Sequence, residues 1–182
     1  MRLCALGLLC GLIASLPLQA EIEKLAIPGD EGMCLYWWPK LPSVKGWHYD
    51  REHSLQYSMN ALAPDGATFA TAEAVIYAQA IYKPREFETK SVQMLIDRDK
   101  RDFLAQTPDL AISEVDPLVD GDGGALRSVT RSPRTAGSWE LVSYGDEGDF
   151  YLIFCVSSRS KTGYEAALPA YRDLIRRYKK AP

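Results

Sequence analysis

Histidine is nearly absent from this 182-residue chain: His48 and His53 are the only two. Any Ser-His-Asp or Cys-His machinery must therefore be built on one of them. The nucleophile elbow G-x-S-x-G, the P-loop and H-E-x-x-H are missing as well, so no local motif points to a hydrolase, a nucleotide site or a zinc protease. Basic excess is lacking: Lys and Arg total 21 against 24 Asp and Glu, a formal net charge of −3. That balance lacks the electrostatic footprint of a nucleic-acid binder. No long apolar run follows the first sixteen residues, and neither repeats nor low-complexity segments interrupt the chain. One domain is expected.

What is present begins at the N-terminus. Arg2 is the only charge before Glu21, and Leu3 to Leu16 is an unbroken run of apolar or small residues. Pro17 then breaks any helix, and Ala20 offers a small residue for cleavage. This is the order of regions in a secretory signal, and the run falls short of the about 20 apolar residues that cross a bilayer. Residues 1–20 are therefore expected to be a signal peptide, with the protein periplasmic or secreted and without a stable membrane anchor once cleaved. Loss of Arg2 takes the net charge from −3 to −4. Of the four cysteines, Cys4 and Cys10 leave with the leader, and Cys34 and Cys155 remain. An even count in an oxidising compartment suggests a disulfide. The competing reading is two separate thiols, with Cys155 at home inside an apolar strand.

Residues 21–33 are polar, with Pro28, Gly29 and Gly32, and read as a loose lead-in to a domain over 34–182. Cys34 to Trp38 (CLYWW) reads as a short strand stopped by Pro39, and Leu41 to Asp50 as a loop. Leu55, Tyr57, Met59 and Ala61 alternate with Gln56, Ser58 and Asn60, the period of a half-buried strand. Ala74 to Tyr82 is almost continuously apolar, as in a strand covered on both faces. Helical spacing over Thr89 to Ala105 sets Val92, Leu95, Ile96 and Phe103 on one stripe. Two strand pairs follow, 111–118 with 125–131 and 139–144 with 150–156, each around a Gly- and Asp-rich turn. FYLIFCV at 150–156 is apolar enough for a central strand. A last helix spans about 164–179, with Thr162 and Glu165 at capping-box spacing and Pro169 placed to kink it. Dominant hairpins imply an α+β fold with a mainly antiparallel sheet and helices packed on its faces.

The stretch SWELVSYGDEGDFYLIFCVSSRSKTGYEAALPAYRDLIRRY resembles the C-terminal half of PsbP-like domains. In these, two long antiparallel strands and a short polar turn lead into a closing helix opened by a segment like KTGYEAALPAY. The resemblance implies the fold shared by the extrinsic photosystem II subunit and a Ran-binding nuclear transport factor, and an accessory or binding role rather than an enzymatic one; no cofactor is expected. It carries no residue assignments to this chain.

The candidate constellations are few. His48, Asp50, Glu52 and His53 form the one conceivable metal group. However, rings five residues apart lie on opposite faces of a strand and roughly 140° apart on a helix, so no metal site is expected. Asp116, Asp120 and Asp122 border a glycine turn, but Gly124 and Arg131 stand where a calcium loop needs ligands. The unusual feature is aromatic: Trp37, Trp38 and Trp47 fall within eleven residues, with His48 beside the last. Adjacent Trp37 and Trp38 must point to opposite faces of a strand. The cluster is either packed core or an exposed anchor for a ligand or partner. The expected role is an exported, non-catalytic binding or accessory protein whose partner is another protein or an envelope component. The alternatives are a periplasmic hydrolase assembled around His48, and an inhibitory or structural envelope protein.

Overall fold

The computed structural model describes residues 22–29, 32–134 and 137–180. The expected signal at 1–20 lies outside the described residues. The fold is α+β. Its strands are β1 (Ile22–Gly29), β2 (Gly32–Pro39), β3 (Trp47–Tyr49), β4 (Asn60–Pro64), β5 (Ala74–Tyr82), β6 (Ala111–Val119), β7 (Ala125–Ser132), β8 (Trp139–Glu147) and β9 (Phe150–Ser158). Its helices are α1 (Arg51–Tyr57), α2 (Val92–Gln106) and α3 (Lys161–Arg177).

Among the described residues one sheet holds all nine strands, in the order β1-β2-β5-β9-β8-β7-β6, with β4 paired to β5 and β3 to β4. Every pairing between described strands is antiparallel. FYLIFCV is central, as its composition implies. Leu152, Phe154 and Val156 face the cluster built with Leu174, Ile175 and Tyr178 of α3. Tyr151, Ile153 and Cys155 face the cluster built with Leu95 and Ile96 of α2. A strand covered on both faces has no polar side, which is why its sequence shows no alternation. Each such buried aliphatic or aromatic side chain contributes about 1.5–3 kcal/mol.

Several local readings are corrected. Residues 22–29 are a strand rather than a loose lead-in, paired with β2 from Ile22↔Pro39 to Gly29↔Gly32. The alternation at 55–61 is not one strand. Asp50 caps α1 by accepting from the His53 N–H at 3.2 Å, and Ser58 ends it in the left-handed conformation at φ 57°. The strand proper starts at Asn60. The 41–50 loop contains β3. Helix α3 starts three residues earlier than expected, capped by Ser160, whose Oγ accepts from the Gly163 N–H at 3.1 Å. It continues through Pro169 as one element.

The Cys34–Cys155 bridge does not form. Both cysteines are free, Cys34 exposed on β2 and Cys155 buried on β9. Strand β5 lies between them, two strand spacings or roughly 10 Å across the sheet, and the registers Trp37↔Ala80 and Tyr77↔Cys155 set them a further six residues, about 20 Å, apart along the strands. The reach of a disulfide is about 4.4–6.8 Å.

Candidate functional site

Strand β2 joins β5 through a single register pair, Trp37↔Ala80. A notch of about 550 Å³ opens beside that junction. Leu35, Tyr36 and Trp37 line it from β2, Gln79 to Tyr82 from β5, Tyr57 and Ser58 from the end of α1, and Arg85 and Glu86 from the turn after β5. Trp37 lies where the notch meets an aromatic group. Its ring stacks on Tyr82 at 5.2 Å between centroids and lies 6.4 Å from Phe150. Arg85 places its guanidinium carbon 5.0 Å from the same ring centroid, and Lys24 its Nζ at 6.0 Å. Pro84 at the start of the turn after Tyr82 fixes the backbone that carries Arg85.

A smaller cavity of about 250 Å³ adjoins Met59, Phe69, Tyr77 and Ser157. Beside it, Asp50 organises one wall. Its carboxylate accepts from the Phe69 N–H at 2.7 Å and lies 2.9 Å from His53 Nδ1. Burial opposes ionisation there, but the Phe69 N–H, the His53 ring and the His53 N–H together hold the carboxyl below the ordinary aspartate value. The His53 ring lies near the rings of Tyr57 and Phe69.

Between α2 and the sheet lies a buried charged network. Arg131 donates to Glu140 at 3.2 Å and to the Tyr144 hydroxyl at 2.8 Å, and Tyr144 donates to Asp99 at 3.0 Å. The Arg131 guanidinium also lies 3.6 Å from the Phe103 ring centroid. Burial pushes the Asp99 carboxyl above its ordinary value, against the pull of Tyr144 and Arg131. Burial likewise pushes the Cys155 thiol well up, with Glu140 adding to it. This network ties α2 to β7 and β8. Its link toward the smaller cavity is Ser157, which donates to Glu140 at 3.0 Å.

The four residues proposed from sequence as a binding patch are not brought together. Trp38 is buried, and its Nε1 donates to Glu23 at 3.1 Å. Trp37 points to the other face, as strand alternation requires, and packs beside the α3 cluster at the edge of the notch. Trp47 packs half-buried against the α3 cluster. It pairs with Pro64 across β4, two residues beyond the Leu62↔Ile76 pair. That puts it about 20 Å along the strands from Trp37. His48 is exposed, with Nδ1 3.6 Å from Asp65. Among the described residues no three His, Cys, Asp or Glu side chains converge as metal ligands. Asp120 instead accepts from the N–H groups of Asp122 and Gly124 in its own turn and pairs with Lys180 at 3.6 Å.

Sequence reasoning missed Lys24, Tyr57, Tyr82, Arg85 and Phe150, which come from separate elements. The one available signal was Tyr82-Lys83-Pro84-Arg85, an aromatic strand end followed at once by a basic, proline-braced turn. No protein-family model matches the chain, and no curated protein matches it.

Proposed function

We propose that this is an exported, non-catalytic binding protein of PsbP-like fold that takes up an envelope component or a protein partner at the Trp37 notch. The observation that carries the reading is the notch itself: a concavity of about 550 Å³ lined by Trp37, Tyr82 and Arg85, with Lys24 reaching the Trp37 ring from β1. That volume falls within the range of small-molecule sites. Export rests on the leader pattern of residues 1–20, and the fold family on the β8–β9–α3 stretch. The test is comparative capture from an envelope extract, with wild type and Trp37→Ala as baits. Trp37→Ala is expected to lower recovery of the captured species about tenfold or more while α2 and β9 stay folded, as one hot-spot aromatic does. Equal recovery by both baits overturns the reading.

A further inference from the structure

We infer that the ligand of the Trp37 notch is a small anion with a flat apolar body, in chemical class an aromatic carboxylate, and that Lys24 and Arg85 hold its charge. The inference rests on the proposal that the notch is the binding site. Charge is its first argument. The other cations near the junction already have acids: Lys83 with Asp146 at 2.7 Å, Arg98 with Glu86 at 2.6 Å, Arg51 with Glu23 at 3.5 Å. Glu86, the acid that lines the notch, is thereby spent on Arg98. Among the described residues Lys24 and Arg85 meet no carboxylate at ion-pair distance. Both instead lean on one indole ring. In a chain with more acids than bases, two such cations on one aromatic ring leave a local positive site. A guanidinium offers a carboxylate two parallel N–H donors, and an ammonium beside it adds charge without demanding geometry.

Shape is the second argument. Trp37 and Tyr82 both line the notch and stack on each other at 5.2 Å, and such an aromatic pair favours a planar body by stacking or edge contact. A volume of about 550 Å³ suits a molecule of one or two rings. The carboxylate belongs at the Arg85 and Lys24 side, where it replaces water on two cations. The ring belongs against Trp37.

Calorimetric titration of the full chain with 2-naphthoate and its neutral isostere 2-naphthamide tests this. The expected result is saturable one-to-one binding of the carboxylate, about tenfold or more tighter than the amide at low salt. Added salt should narrow that gap by screening. The double variant Lys24→Gln/Arg85→Gln, both exposed positions, should bind naphthoate and naphthamide with equal affinity. Equal binding of the two probes to wild type, with both lost in Trp37→Ala, overturns the anion assignment but keeps the notch as the site. A preference that survives in the double variant also overturns the assignment. Failure of both probes to saturate overturns it too, and the capture experiment then judges the notch separately.

Discussion

Arg131 stands between two carboxylates in the interior, its side chain only 4% exposed. Arg131→Met removes the charge that Asp99 and Glu140 share and leaves two buried acids facing each other. The expected cost is about 3–5 kcal/mol at neutral pH, read as a lower urea midpoint. Acidification should recover part of it, because burial already raises the Asp99 pKa and protonation removes the repulsion. In wild type this same group holds its proton more tightly folded than unfolded. It therefore subtracts stability as pH climbs from the ordinary aspartate value through the folded one. Asp50 has the opposite sign. Its folded pKa is lowered, so its stabilisation is complete above the ordinary aspartate value and is lost as pH falls through the folded one. Asp50→Asn is expected to cost about 1–2 kcal/mol at pH 7 and to flatten the acid limb of urea midpoints measured from pH 7 to pH 3.

At the scale of elements, strands and helices were legible where one signal dominated. β5 and β9 are buried on both faces, so their apolar runs admit no competing reading. Helix α2 shows its stripe because one side packs on Val129, Val142 and Tyr144 while the other meets solvent. The alternation at 55–61 runs across the end of α1 and the start of β4, so one pattern covers two elements. The real punctuation is conformational: a capping carboxylate at Asp50 and a left-handed Ser58. β1 was missed because an edge strand needs only one neighbour and buries little, so its sequence carries Lys, Glu, Pro and Gly. The start of α3 separates two caps within two residues. Ser160→Ala should lower stability by about 1 kcal/mol, whereas Thr162→Ala should stay within about 0.5 kcal/mol, both read by thermal or urea denaturation.

For the whole molecule, the sheet order decides what composition left open. It interposes β5 between the two cysteine-bearing strands, so redox conditions should not alter the fold through Cys34 and Cys155. Iodoacetamide under native conditions is expected to modify Cys34 and spare Cys155, which is buried and has its thiol pKa well raised. Mass mapping before and after unfolding checks this; equal labelling of both in the native state would count against the packing of β9. The same order gathers the groups around the Trp37 ring at the notch: Lys24 on β1, Tyr82 on β5, Arg85 just after it and Phe150 on β9. These span more than 120 positions of chain, and no local pattern joins them. Trp37, Trp38 and Trp47 drew notice because they are close in sequence, yet the sheet sends them to different faces and different ends.

The single Trp37↔Ala80 pair has a thermodynamic consequence. β1 and β2 are bound to each other by eight register pairs but to the rest of the sheet by one, with Leu25, Trp38 and Pro39 as their buried side chains. Such a hairpin is a cooperative unit that opens at a free energy below that of global unfolding. Its amides should exchange with deuterium earlier than those of β9. An occupant gripping Trp37 and Lys24 on the hairpin and Arg85 and Tyr82 beyond it spans that seam. Deuterium uptake across residues 22–39 therefore becomes a gauge of occupancy, slowing by the factor by which the occupant favours the closed seam.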